Sequence, residues 1–191
     1  MAEALLRAYR PDDAAVVHAV VTEAFGDQGD TVAALAEDLR ATHAKAELVA
    51  EVDGRVVGHV LLSRSWVDAR QALVEVLVLS PLSVAPAHQG RGVGSDLVGA
   101  AITAARELGA PAVFLEGSPD YYSRRGFEPA TLRNFTRPSV RIPEPAFQVV
   151  VLDGHEEWMT GALVYCEPFW THDCAGLRDP ELSRIEQMFE D

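Results

Sequence analysis

Leu82-Ser83-Val84-Ala85-Pro86-Ala87-His88-Gln89-Gly90-Arg91-Gly92-Val93-Gly94-Ser95 is the stretch on which the reading of this 191-residue chain turns. An apolar strand, Glu75–Val84, runs into it. Three glycines follow at alternate positions, and an alanine-rich helix, Ser95–Leu108, leads out of it to Gly109, a C-cap choice. Glycine lets the backbone turn sharply and lets an anion approach the amides. The open amides of a helix start, together with the helix dipole, favour a phosphate. A glycine-rich connector without a ligand is the plainer alternative.

Three kinds of phosphate loop can be compared with it. A Walker loop needs Lys-Ser/Thr after its last glycine, and here Gly94 is followed by Ser95 and Asp96. A dinucleotide fingerprint needs glycine where Ser95 stands, although Glu116 supplies an acidic residue at about the right distance. That leaves a nucleotide-binding enzyme as a rival, opposed by the antiparallel strands that precede the loop. The third pattern, Gln/Arg-x-x-Gly-x-Gly/Ala, is met by Gln89-Gly90-Arg91-Gly92-Val93-Gly94.

Outward from this segment the chain reads as strands and helices in mixed order. Leu5–Tyr9 is a short apolar run. Pro11-Asp12-Asp13 is a helix start, and Ala14–Phe25 and Thr31–Thr42 carry apolar residues at helical spacing. Leu48–Glu51 and Val56–Leu62 are strands around the Asp53-Gly54 turn signal. Pro81 inside Glu75–Val84 removes a ladder bond and implies an edge or a bulge. After the helix come a strand, Ala112–Glu116, and a short helix, Tyr121–Arg125. Strand candidates follow at Phe127–Leu132, Phe147–Leu152 and Ala162–Cys166, with a loop over Arg137–Pro145 and a last helix after Pro180. This order predicts a layered α/β or α+β domain, with no internal repeat.

The stretch "PLSVAPAHQGRGVG" followed by "YYSRRGFEPA" resembles the GNAT superfamily of N-acetyltransferases, and within it a bacterial branch. The resemblance covers roughly Leu5 to Asp153. It implies a mixed, mostly antiparallel central sheet flanked by helices, with a splayed central strand pair that admits the cofactor. It further implies that Leu82, Ser83 and Val84 offer backbone groups to the pantetheine arm. Gln89, Gly90, Arg91, Gly92, Val93 and Gly94, with Ser95, would hold the pyrophosphate of acetyl-CoA. Tyr122, four residues before Gly126-Phe127, takes the place of the general acid that protonates the CoA thiolate; an ordinary phenol is protonated at neutral pH. The acceptor would be a small-molecule amine, a peptide N-terminus or a lysine, attacking the thioester directly. No metal is required, and a homodimer is compatible with the superfamily.

No general base is legible. Leu79, Ser80 and Pro81 carry no carboxylate, and Glu75, Glu116, His59 and His88 remain candidates. Arg91, Arg124 and Arg125 suit either phosphate contact or a solvated face. A non-catalytic acyl-CoA-binding module is a second rival, supported by the missing strand carboxylate.

Bulk properties narrow the class. Hydrophobic residues at 48% and charged residues at 24% fit a globular protein. Net charge is -13, against nucleic acid or anionic membrane as partner. It serves solubility, or steers a cationic acceptor. No apolar run is long enough to span a membrane. MAEALLRAYRPDD lacks the marks of a signal peptide, so a cytoplasmic location is the expectation. Cys166 and Cys174 are too few for a disulfide framework and lack the close pairing of a zinc site. Residues 1–153 are expected to form the acyltransferase domain. Residues 154–191 are expected to form an extension, rich in aromatics such as Trp158, Phe169 and Trp170, that packs on the domain or on a partner chain.

Overall fold

Strand alternation and two tight turns organise the chain, and the computed structural model describes residues 4–190 of it. Residues 1–3 and 191, the outer limits of the two expected segments, lie outside the described residues. The chain divides into two compact units. One is Met1–Ser63 with Leu79–Leu108; the other is Arg64–Val78 with Gly109–Asp191.

The first unit holds β1 (Leu5–Ala8), α1 (Ala14–Phe25), α2 (Gly29–Thr42) and β2 (Ala44–Val52). It also holds the opening part of β3 (Arg55–Ala69), the closing part of β4 (Leu73–Val84), and α3 (Val93–Glu107). β1 pairs antiparallel with β2, and β2 with β3. Asp53 and Gly54 join the last two with φ of 50° and 74°, the paired positive values of a type I′ hairpin. Opposite each other in this ladder stand Val49 with His59 and Ala50 with Gly58. Val49 packs with Val17 and Val21 of α1 and Val32 and Ala33 of α2. A Cβ on Gly58 would instead meet Leu97 and Val93 of α3. Neighbouring side chains along a strand point to opposite faces. Helices α1 and α2 therefore cover one face of these strands and α3 the other.

His59, with 0% of its surface exposed, has Nε2 2.7 Å from Glu47 Oε1. Arg40 forks onto the same carboxylate, and its guanidinium lies 4.4 Å above the Tyr9 ring. A buried carboxylate is costly unless such bidentate geometry compensates it. The cluster ties α2, β2 and β3 together.

The second unit takes the remaining parts of β3 and β4, then β5 (Ala112–Glu116), α4 (Pro119–Tyr122), β6 (Glu128–Pro129), β7 (Phe135–Thr136) and β8 (Phe147–Val151). After these come β9 (Gly161–Val164), α5 (Glu167–Thr171) and α6 (Glu181–Glu190). The strand order is β1-β2-β3-β4-β5-β8-β6, with β9 pairing β3 and β7. The sheet is mixed and mostly antiparallel: parallel ladders join β4 to β5 and β7 to β9, while β8 runs antiparallel to β5 and β6, and β9 to β3. The β4–β5 ladder consists of two register pairs, Leu77↔Val113 and Val78↔Phe114, the short form that a splayed pair takes. Phe114, fully buried, is the hub of this unit's core. It meets Phe135 edge-on at 4.8 Å and stacks on Phe147 at 5.7 Å. Residues after 153 enter the sheet through β9, registered Trp66↔Val164 to Ala69↔Gly161.

Several local expectations change. β4 is interior to the sheet, so Pro81 does not mark an edge; the Ser80–Pro81 peptide is cis. Strand pairing within Phe127–Leu132 is confined to Glu128–Pro129, because Ala130–Arg133 coils into a 3-10 turn. β3 continues seven residues beyond Leu62, where β9 pairs with its last four residues. α5 was not expected either; Pro168 at its start and Phe169 buried beneath it account for its single turn.

Phe114→Ala should lower unfolding stability by about 3–5 kcal/mol in chemical denaturation, because two ring contacts and full burial are lost together.

Candidate functional site

The expected phosphate segment lies wholly in the first unit. Strand β4 ends in Leu82, Ser83 and Val84; Ser83 is buried, and its Oγ has no hydrogen-bond partner. The Ala85 amide donates to Val57 of β3 at 2.8 Å, so the chain stays anchored as it leaves the strand. A 3-10 turn, Pro86–His88, follows. Gln89 then folds back and its Nε2 donates to the Val84 carbonyl at 2.9 Å, closing the loop on itself. Gly90 and Gly92 have φ of 70° and 94°, in the left-handed region that costs L-residues most.

Gly92 is the N-cap of α3, which starts at Val93, two residues before the apolar spacing suggests. Gly92, as the N-cap, brings no side chain to cap this helix. The first amides of an α-helix have no intrahelical acceptor, and Asp96 is the first to bond back, to the Gly92 carbonyl at 3.0 Å. Val93 and Leu97 turn inward and are buried, while Gly90, Arg91 and Gly92 are exposed. The result is an uncapped, exposed helix start carrying a partial positive charge and one guanidinium, Arg91, suited to an anion.

Tyr122 lies in the second unit, at the end of α4. Its ring packs edge-on against Tyr121 at 4.8 Å and Phe127 at 5.8 Å. A Cβ on Gly117 would fall 2.4 Å from its Cε2, so only glycine leaves room for the ring there. Among the described residues no group hydrogen-bonds the Tyr122 hydroxyl. Burial pushes its pKa well above the ordinary phenol value; Tyr121 adds to this and Arg125 opposes it. The phenol is therefore held as a proton donor across the neutral range. Arg125 is engaged locally, stacked over the Tyr121 ring at 3.4 Å and donating to the Tyr121 carbonyl. Arg124 is exposed.

Of the candidate bases, His59 is committed to Glu47. Glu75 is exposed, 3.9 Å from Arg64. His88 is half-buried in its turn. Glu116 differs from all of them. It ends β5, accepts a hydrogen bond from Tyr165 Oη at 2.7 Å, and takes another from the Gly176 amide. Burial raises its carboxyl from the ordinary 4.5 to about 7, against the lowering effect of Tyr165, Gly176 and the Arg141 guanidinium. Cys174 also lies close enough to feel its charge. Next in the chain, Gly117 is held by its amide to the Ala146 carbonyl and by its carbonyl to Gln148 Nε2, both at 3.0 Å. Glu116 thus meets Tyr165, while Gly117, just past the strand, lies against the Tyr122 ring. Tyr165, Arg141 and Gly176 were not expected at the site. Glu116 is the end of a recognised strand, but its partners come from the irregular stretches around 141 and 176, which carry no periodic signal.

Cys166 and Cys174 are free thiols, each pushed up to about 11 by burial. Among the described residues no group of three His, Cys, Asp or Glu side chains could hold a metal, and no helix is long and apolar enough to cross a membrane.

Comparison with known proteins bears directly on this arrangement. The model of the acetyltransferase (GNAT) family matches residues 5–127. The chain belongs to the GNAT family. It is 40% identical over 119 residues to the uncharacterized N-acetyltransferase YjhQ of Escherichia coli K12, a match covering 61% of this chain and 65% of YjhQ, just under two thirds of that protein's length. It is 34% identical over 170 residues to the uncharacterized N-acetyltransferase YhbS of the same strain, covering 86% of this GNAT chain and 98% of YhbS. Among solved structures, YhbS from Escherichia coli in complex with CoA superposes with a TM-score of 0.80 at 32% identity, over 88% of this chain and 93% of the other. A GNAT family acetyltransferase from Brucella melitensis in complex with acetyl-CoA gives 0.71 at 28% identity, over 88% and 99%.

Gly117→Ala should displace the Tyr122 ring, because the new methyl overlaps it. The Tyr122 environment, followed by near-ultraviolet circular dichroism against a Tyr122→Phe reference, should change, while the far-ultraviolet spectrum stays as in the parent chain.

Proposed function

We propose that this chain is an acetyl-CoA-dependent N-acetyltransferase that acetylates a primary amine by direct attack on the thioester. The observation that carries the proposal is the uncapped start of α3 behind Gly90 and Gly92, at the end of an interior strand. The CoA and acetyl-CoA held by the YhbS and Brucella melitensis structures support it.

In this reading the backbone of Leu82, Ser83 and Val84 receives the pantetheine arm as an added strand would be received. The amides from Gln89 to Gly94, with Ser95, take the pyrophosphate, and Arg91 adds charge at the rim. A primary amine is mostly protonated at neutral pH and must lose a proton before it attacks. Glu116, with a carboxyl that titrates near neutrality, accepts it. The amine nitrogen then bonds the thioester carbon, the carbon–sulfur bond breaks, and Tyr122 gives its proton to the departing sulfur. The second amine proton restores the Tyr122 phenol. Tyr165 positions the Glu116 carboxylate and favours its ionised form. Burial holds both cysteines as thiols, so neither is an activated thiolate for a covalent acyl-enzyme. Residues 1–153 form the acyltransferase domain and residues 154–191 its extension, in a chain that works in the cytoplasm.

Thiol release from acetyl-CoA across a panel of amines tests these roles. Tyr122→Phe should lower kcat by about a hundredfold or more with acetyl-CoA affinity nearly intact. In the parent chain kcat/KM should fall as pH drops through about 7, as Glu116 becomes protonated. Glu116→Gln should be slow and lack that limb. Full turnover by Tyr122→Phe, or an unchanged acid limb in Glu116→Gln, would remove the residue concerned from the mechanism.

A further inference from the structure

Next to Gly117, wholly within the second unit, lies an open cavity of about 690 Å³. Its lining includes residues 117–119, Pro145, Leu177, Ile185, Met188 and Phe189. The last three come from α6, whose apolar residues Leu182, Ile185, Met188 and Phe189 recur at helical spacing. Met188 and Phe189 are 64% and 41% exposed, which is unusual for large apolar side chains turned toward a concave surface. Among the described residues one charged residue, Asp120, belongs to the lining. Among the described residues its carboxylate takes part in no hydrogen bond or ion pair. Small-molecule sites are commonly a few hundred Å³, mostly apolar, with a few polar groups that fix orientation. This cavity has that make-up, and its single charge is negative.

We propose that this cavity binds the acceptor, and that the acceptor is a small primary amine on an apolar body: its ammonium group against Asp120 and its aromatic or branched aliphatic part against Ile185, Met188 and Phe189. The proposal rests on the N-acetyltransferase reading and sharpens it. Charge selects the occupant. An acidic or phosphorylated molecule would meet Asp120 unfavourably, and a purely polar amine would leave the α6 wall uncovered. The Tyr122 ring packs on Gly117, one of the lining residues, so the proposed general acid lies beside the cavity. The site is built largely from α6, which lies beyond the residues 5–127 that match the family model. Acceptor choice is thus assigned to the part of the chain that the family pattern does not dictate.

Isothermal titration of the full chain with 2-phenylethylamine, 2-phenylethanol and methylamine tests this, with and without acetyl-CoA. The aromatic amine should bind about tenfold or more tightly than either the neutral alcohol or the short amine. Asp120→Asn should abolish the preference over the alcohol. Met188→Gln, at an exposed position that threatens no core packing, should weaken the aromatic amine severalfold and leave methylamine unchanged. Neither substitution should alter acetyl-CoA affinity. Equal affinity for amine and alcohol, indifference to both substitutions, or displacement of the aromatic amine by acetyl-CoA would overturn the proposal. Turnover separates it from the reading beneath it. A chain that binds 2-phenylethylamine as described but releases no thiol keeps the cavity and loses the transferase assignment. A chain that acetylates methylamine and 2-phenylethylamine with the same KM keeps the transferase and loses the cavity.

Discussion

Everything in the first unit's site depends on one backbone constraint: an interior strand must reverse into a helix without covering the helix's first amides. Gly90 and Gly92 meet it by adopting positive φ, which would cost another residue about 1 kcal/mol or more at each position. The rest holds the turn in place. Ala85 stays bonded to β3, Gln89 ties back to Val84, and Val93 and Leu97 seat the helix on the strands at Gly58. A side-chain N-cap would have stabilised α3 by roughly 1 kcal/mol. Its absence leaves the amides open to a ligand instead.

The end of β5 brings together two buried titratable groups, Glu116 on the strand itself and Tyr122, whose ring lies against the next residue, Gly117. Desolvation dominates at both. It raises the Tyr122 phenol, which stays protonated at neutral pH, and it raises the Glu116 carboxyl to about 7. The rise from 4.5 to about 7 carries a cost in stability. Glu116 binds its proton more tightly folded than unfolded, so its contribution to stability is fully present below pH 4.5 and is lost as pH rises through about 7, by about 3 kcal/mol. Tyr165, Gly176 and Arg141 limit that loss by favouring the ionised form.

How much of this was legible beforehand follows from the range of each interaction. The loop 82–95 was readable because glycine spacing and helix onset are local, and the Tyr122/Gly126-Phe127 pattern was readable as a resemblance. The base was not, because Glu116 is distinguished only by Tyr165, 49 residues away in sequence, and by the Arg141 and Gly176 segments. β7 was missed and the long end of β3 was shortened for the same reason: each is a strand only because a distant segment pairs with it. Pro81 left an edge or a bulge open, and the interior place of β4 removes the edge.

The central claim is that the turn from β4 into α3 holds the pyrophosphate of acetyl-CoA. A crystal structure of the chain soaked with acetyl-CoA tests it most directly. The account predicts both phosphates within hydrogen-bond distance of the amides between Gln89 and Ser95. Electron density for the pyrophosphate elsewhere, with those amides bound only to water, would contradict it.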